Sequence, residues 1–385
     1  MTKKSAHILI FAVVSLVVLG IVMLLSTSVF AGEHSDDMYF DIRRQIGWLG
    51  VGVVVCVLFA MKDYHFWQRT AWIWFGVACV LLALCYVPFV AETRNGAARW
   101  LSGKSFGLNL LRIQPSEFAK LAAVFAIAAW MVKYRENIME FRKGFLYPLL
   151  IVLLPVCLIA GEVDIGNASL VMGVSILIMF IGGLQFRYLA IAGGLSIGAI
   201  VTAVKLIPNR LERYLAFLDV EGNKLEFGMQ QWRGLLALGS GGFSGMGLGF
   251  GREKLMYLPY AHTDFIFTMV GEELGLIATL LVVLAFVVII VAGMIIAMHA
   301  PDSFGKMVGF GVVCIIILQA MINIGVTTVL LPNKGLPLPF VSYGGSNLLL
   351  CMMCVGILLN IFRQSVEPEV MARSHMPRGR MTPKV

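Results

Sequence analysis

From Ile8 to Leu25 the chain runs without a charged side chain, directly after Lys3 and Lys4. As a helix rising about 1.5 Å per residue, such a run crosses most of the roughly 30 Å hydrocarbon core of a bilayer. It is longer than the apolar centre of a signal peptide, about 7–15 residues. It is therefore read as a retained first span, although Val29-Phe30-Ala31 resembles a cleavage site. Similar runs follow at about 45–61, 70–90, 117–132, 147–160, 167–184, 188–207, 270–298, 307–331 and 344–362. Open sheet edges are not tolerated in lipid, so these runs should be helices. The expectation is an all-α, polytopic membrane protein of about ten transmembrane helices, with a large extracytoplasmic loop before the eighth. Residues 1–366 are read as one transmembrane domain and 367–385 as an unstructured cytoplasmic tail.

Composition narrows the function classes. Of 385 residues, 59% are hydrophobic and 14% charged, and the mean hydropathy is +0.87. Soluble domains are about half apolar and a quarter charged. A cytosolic enzyme, a disordered chain and a secreted disulfide scaffold are excluded. The net charge of +8 could suit nucleic acid, but Lys and Arg sit in short loops between apolar runs. Anionic lipid or an anionic substrate is the better match. The seven cysteines all lie in apolar runs, and Cys351-Met-Met-Cys354 has no second ligand pair. They are read as small buried hydrophobes rather than disulfides or metal ligands. With the N-terminus placed inside, most outer loops are nearly free of Lys and Arg. The exceptions are 91–116 and 208–263. The second is too long for a mere connector, and function is expected on such loops. Both termini are expected in the cytoplasm.

Ionisable residues in or beside spans are costly, so each is a candidate. They are Glu117, Lys120, Glu162, Asp164, Lys205, Asp264, Glu272 and Glu273. Asp264 stands where the long loop meets an apolar span. A partly desolvated carboxylate there suits general-base work, and equally a helix N-terminal aspartate. Gln114-Pro-Ser-Glu-Phe-Ala-Lys120 reads as a helix start, with Glu117 and Lys120 on one face. The pair is either an internal ion pair or a platform from which Lys120 faces an anion. Glu162 and Asp164 form a Gly-flanked turn, which could hold a divalent cation or simply be solvated. The Gly239–Gly251 stretch is not a Walker A loop; its backbone N–H groups could meet a phosphate, or it could pack as a re-entrant loop. Arg94, Arg99 and Lys104 surround Trp100, as phosphate forks or as an interfacial belt. Pro332–Ser346 is a stiff turn with Lys334 as its single charge, either structural or lining a groove.

Taken together, these segments resemble a known family. They are Arg94-Asn-Gly-Ala-Ala-Arg-Trp100, Gln114–Lys120, Arg213-Tyr-Leu-Ala-Phe-Leu-Asp219, the Gly239–Gly251 stretch, Lys254–Phe267 with its His-Thr-Asp-Phe-Ile-Phe end, Gly271-Glu-Glu-Leu-Gly275, and Leu331–Ser346. In order and spacing the chain is similar to the SEDS family, the FtsW/RodA/SpoVE group, over about residues 8–365. The Asn-Gly-Ala-x-Arg-Trp form lies nearer FtsW than RodA.

The resemblance implies a peptidoglycan glycosyltransferase that polymerises lipid II and releases undecaprenyl diphosphate, with inversion, in cell division. It implies Asp264 as the essential aspartate and catalytic base, and it carries the family's D-[LF]-G motif onto Asp164-Ile165-Gly166. Substrate contacts are expected from Arg99, Glu117, Lys120, His262, Lys334 and Ser342. A diphosphate leaves as a stable anion, so one base and several cations suffice, unlike the two carboxylates of a glycosidase. No tightly bound cofactor is expected; a divalent cation, Mg or Mn, has Asp164 as its candidate ligand. Expected partners are lipid II, the growing glycan strand, a class B penicillin-binding protein, other division proteins and membrane lipid, with no nucleic acid. The expected location is the bacterial cytoplasmic membrane. A lipid II flippase and a non-catalytic division scaffold are the alternatives. Four positions depart from the family pattern: Met256, Tyr260, Asn167 and Asn333.

Overall fold

The computed structural model describes residues 2–28, 39–87, 90–94, 97–102, 112–206, 208–255, 258–259 and 261–374. Ten helices stand where the apolar runs predict spans. They are α1 (Thr2–Ser28), α2 (Phe40–Met61), α3 (His65–Leu84), α4 (Pro115–Lys133), α5 (Tyr147–Gly161), α6 (Ile165–Ile181), α7 (Phe186–Leu206), α10 (Ile266–Met298), α11 (Ser303–Thr327) and α12 (Gly345–Ser374). Eight stretches among the described residues are long and apolar enough to cross a bilayer; α6, at 17 residues, is an apolar helix slightly too short by that measure. Local chemistry sets several ends. Pro115 opens α4. Asp164 caps α6 by accepting from the Asn167 N–H, and Asp302 caps α11 by accepting from the Gly305 N–H.

The long loop is more structured than the sequence suggests, holding α8 (Pro208–Leu218) and α9 (Met229–Gly241). The other large loop adds a small antiparallel sheet of β1 (Ala91–Arg94), β2 (Ala97–Ser102) and β3 (Arg112–Ile113), ordered β1-β2-β3. Helix α12 continues to Ser374, past Glu367, where an unstructured tail was expected to begin. Residues 375–385 lie outside the described residues.

The bundle has a buried middle and a lipid-facing rim. In α4, 78% of the apolar window is buried, against 22% in α3. Ala-rich α4 packs on α3, α6 and α11, because small residues let helix backbones approach. A methyl group at Gly311 of α11 would stand 2.6 Å from Val124 of α4. At the rim, Val54 and Leu58 of α2, Ile73 and Val80 of α3, and Ile277 and Leu284 of α10 are exposed. Cys157 is exposed as well, so it is not the buried hydrophobe expected; no disulfide forms among the described cysteines.

Candidate active site

Asp264 is held by its backbone. The carbonyls of three consecutive residues are each taken by a donor from another element: His262 by the Tyr343 N–H at 3.1 Å, Thr263 by the Ser342 hydroxyl, and Asp264 by Asn323 Nδ2 at 2.8 Å. Asn323 Nδ2 also donates to the Leu336 carbonyl at 2.7 Å, tying the Pro-rich turn to the same point of α11. The Asp264 carboxylate lies against Gly335, where a Cβ would stand 2.7 Å from Oδ2. The side chain is half-buried. Burial pushes its carboxyl up to about 6; Arg99 pulls it down and Asp164 pushes it further up. A carboxylate ionised only above that point, with part of its surface open, is suited to accept a proton near neutrality.

Arg99 and Asp164 approach from a second direction. Arg99, on β2, donates from Nη2 to the Val163 carbonyl at 2.7 Å and from Nε to the Glu162 carbonyl at 3.4 Å. This pins the turn between α5 and α6. Val163 sits there at φ 65°, a left-handed conformation rare for a β-branched residue, and Phe340 of the Pro-rich turn has φ 66°. Strain of this kind persists where surrounding structure over-determines it. Burial, then Asp164, pushes the Glu162 carboxyl up to about 8. Asp164 is itself buried and accepts from the Asn167 N–H at 3.1 Å, Asn167 Nδ2 at 2.8 Å and Gln114 Nε2 at 3.4 Å. No group of three His, Cys, Asp or Glu able to hold a metal occurs among the described residues. Two carboxylates do not make an all-protein cage. They would fit only a cation that draws most of its oxygen ligands from elsewhere.

Lys120 does not face an open groove, contrary to the direct anion contact expected of it. Its ammonium is fully buried, 2.7 Å from Glu117 Oε1 and 2.8 Å from Gln319 Oε1. Gln319 Nε2 in turn donates to the Pro337 carbonyl at 2.9 Å and to Asn347 Oδ1 at 2.6 Å. Of the two readings the sequence left open, the ion pair holds, and a charge buried inside the bundle demands it. The pair reaches the site indirectly, by orienting Gln319 under the Pro-rich turn. Ser342 likewise acts on backbone: its hydroxyl accepts from the Leu338 N–H at 2.8 Å and donates to the Thr263 carbonyl. The His262 ring lies 5.8 Å from that of Tyr343. Lys334 precedes Gly335, and its carbonyl accepts from the Leu336 N–H at 2.8 Å.

The Gly-rich stretch turns out to be a packed loop folded along the first turns of α10. Its N–H groups meet internal acceptors: Gly249 donates to Glu273 Oε2 at 3.0 Å, Met246 to the Glu272 carbonyl at 2.9 Å and Gly247 to the Glu273 carbonyl at 2.9 Å. Glu272 Oε1 takes the N–H groups of Arg252 and Glu253. Lys254 closes the cluster, 2.7 Å from Glu273 Oε1 and from the Ser26 hydroxyl of α1. At Gly275 α10 breaks, with φ 78°, and a Cβ there would be 2.4 Å from the Gly245 nitrogen. Only glycine fits both that conformation and that approach.

Residues 7–367 match the family model described as cell cycle protein, the FtsW/RodA/SpoVE group. The chain belongs to the FtsW/RodA/SpoVE family. It is 37% identical over 367 residues to stage V sporulation protein E of Bacillus subtilis (strain 168), covering 94% of this chain and 99% of that one. It is 36% identical over 360 residues to the probable peptidoglycan glycosyltransferase FtsW of Geobacter sp. (strain M18), covering 92% and 95%. In structure it is similar to a chain of a peptidoglycan synthase complex in which polymerization and crosslinking are coordinated. The TM-score is 0.74 at 27% identity, covering 93% of this chain and 97% of that chain. It is also similar to the rod shape determining protein RodA of Thermus thermophilus, with a TM-score of 0.67 at 25% identity, covering 92% and 96%.

Two departures from the FtsW/RodA/SpoVE pattern have a physical account. Asn167 adds a side-chain donor to Asp164, and Asn333 Nδ2 donates to Gln230 Oε1 of α9 at 2.6 Å. Met256 and Tyr260 lie outside the described residues, as do Lys104 and the side chains of Arg94 and Lys205. Sequence reasoning that weighed only ionisable residues missed Gln319 and Asn323, and also Gln114, Gln231 and Asn347. The signal was present: Gln319, Asn323 and Thr327 recur every fourth residue in an otherwise apolar span. That spacing puts amides on one helix face, and each buried amide requires a partner. Gln231 of α9 finds its own in the Val326 and Leu331 carbonyls, at 3.1 and 2.9 Å.

Proposed function

We propose that this member of the FtsW/RodA/SpoVE family is a peptidoglycan glycosyltransferase that polymerises lipid II on the extracytoplasmic side of the bacterial cytoplasmic membrane, with Asp264 as its base and both termini in the cytoplasm. The observation that carries the reading is a half-buried carboxylate whose backbone is held by three donors, two from the Pro-rich turn and one from α11, while Arg99 stands within electrostatic range. The names of the curated relatives and of the structural neighbours support the reaction class.

The chemistry follows from those residues. Asp264 takes the proton from an acceptor sugar hydroxyl as its oxygen bonds to the anomeric carbon of the donor. The bond from that carbon to the diphosphate oxygen breaks, and undecaprenyl diphosphate leaves with the electron pair. A single displacement converts an α-linked donor into a β-linked product. Arg99 stabilises the departing charge; its planar fork matches phosphate oxygens, and Lys334 beside Gly335 adds a second cation. His262 and Ser342 set the local path of the chain around Asp264. Glu117 and Lys120 act as positioning residues beneath the Pro-rich turn. Asp164 is the residue that would hold a divalent cation, whose chemistry there would be neutralisation of leaving-group charge. The transpeptidase partner is a class B penicillin-binding protein, and the process served is cell division.

The test is chain formation by the purified full-length protein on lipid II, read as polymer length on a gel. Wild type and the lipid-facing control Val283→Ala should make chains, and Asp264→Ala should not. Movement of lipid II across vesicles without chains would overturn the reading in favour of transport. Normal complementation of a deletion by Asp264→Ala would overturn it in favour of a scaffold.

A further inference from the structure

Helix α4 starts beside the carboxylate site and ends at Lys133, 19 residues on, or about 28 Å at 1.5 Å per residue. Helix α3 begins at that far end with His65. His65, Gln68, Arg69 and Trp72 follow at spacings of three and four, so they line one face. Between this face and the end of α4 lies a hollow of about 420 Å³, lined by His65, Gln68, Arg69, Trp72, Ala129 and Lys133.

The charges in the hollow are one-sided. Asp63 Oδ1 and Asp302 Oδ2 both engage the His65 ring, at 2.8 Å each. Arg69 and Lys133 have no acidic partner among the described residues; Lys133 lies over the Tyr134 ring, 5.2 Å from its centre. Both are exposed. Above them the surface turns apolar. Trp72 is exposed and meets Trp130 edge-on at 6.2 Å, and such paired aromatics mark headgroup level. One turn further along α3, nothing lies within 4 Å of where a Gly76 side chain would stand. A polar, cationic hollow thus adjoins an open, apolar stretch of the helix surface.

We propose that this hollow binds an anionic phospholipid of the leaflet opposite the carboxylate site, with Arg69 and Lys133 on its phosphate and an acyl chain along Trp72 and Gly76. Two cations without carboxylate partners among the described residues, beside an exposed indole and an open apolar helix face, match a phosphate joined to a hydrocarbon chain. Basic pockets between transmembrane helices select such headgroups. A free phosphate would use the cations alone and leave the apolar face beside Trp72 uncovered. The inference rests on the bundle's geometry and stands whichever reaction the other end performs.

The experiment uses the full-length protein in neutral detergent, with native mass spectrometry reading retained lipid. Phosphatidylglycerol, phosphatidylcholine and inorganic phosphate are the probes. Phosphatidylglycerol should be retained, phosphatidylcholine much less, and inorganic phosphate should not displace the lipid. Arg69→Gln and Lys133→Gln should each weaken phosphatidylglycerol retention about fivefold and the pair about 25-fold, since one cation near the surface is worth about 1 kcal/mol. Arg142→Gln/Lys143→Gln, outside the hollow, should retain it. Where the double variant does not fold, the single variants and the wild-type competition decide. Equal retention by the Gln variants, equal binding of phosphatidylcholine, or displacement by inorganic phosphate would overturn the proposal.

Discussion

Two groups of carboxylates border the long loop and the start of α10, and they are built in opposite ways. At Glu273 both oxygens are met within the protein: Lys254, Ser26 and the Gly249 N–H fill them, and the side chain is buried. Around Asp264 the partners go to the backbone instead. Donors hold the carbonyls of residues 262–264, while the carboxylate is left half-buried beside Gly335, with Arg99 near enough to act on it. A buried carboxylate already neutralised by an ammonium of its own chain has no charge left for a substrate. One whose main chain is fixed and whose side chain is open has been positioned and left available. Charge in a membrane span therefore does not by itself mark a site; the distribution of partners does.

The largest expected effect is at Asp264. Asp264→Asn removes the base and should lower chain formation about 10³-fold, within the range for a lost general base. The same variant should unfold at a higher temperature in detergent at neutral pH. The carboxyl is raised to about 6 from 3.8, so its contribution to stability is fully present below the lower value and lost as pH rises through the higher one. An amide has no such loss. At the contrasting cluster, Lys254→Met leaves Glu273 buried without its cation and should destabilise the protein by about 3 kcal/mol, measured by thermal unfolding. Activity per folded molecule should stay close to wild type. A loss as deep as that of Asp264→Asn would erase the contrast.

Gly335→Ala sharpens it from the other side. The new methyl group would stand 2.7 Å from Asp264 Oδ2, and displacing a reacting group by about 1 Å costs about 10²-fold in rate. Turnover of lipid II should fall by that order, with unfolding barely moved. The smallest effect is the pH profile. Below about pH 6 the wild-type rate should fall roughly tenfold per unit as Asp264 takes up a proton. A flat profile between pH 5 and 7 would remove Asp264 as the base.

Much of the fold was legible because lipid imposes a simple rule. Apolar runs of helical length must span, and each of the ten predicted runs overlaps an observed helix, most ends shifting by a few residues while α12 runs on to Ser374. The loops escaped the same reasoning. No periodicity in 91–116 announces β1–β3; their pairing is sealed by distant partners, such as Arg112 with Glu92 at 3.1 Å and the Gln114 N–H with Ser346 at 3.1 Å. Among the site residues, Asp264 and Arg99 lie close enough for the guanidinium to act on the carboxylate. Lys120 did not join them, because sequence shows that Glu117 and Lys120 share a face but not that Gln319 of α11 closes that face off.

The sequence alone determined that this chain must live in a bilayer as a helical bundle, since 59% apolar composition in repeated long runs has no other stable solution. It also determined which few ionisable groups could matter, because each is expensive there. Tertiary structure alone decided which of them were spent on the protein itself. Whether a carboxylate meets an ammonium, a loop amide or open space depends on residues hundreds of positions apart, as when Ser26 meets Glu273, and no local pattern encodes that meeting.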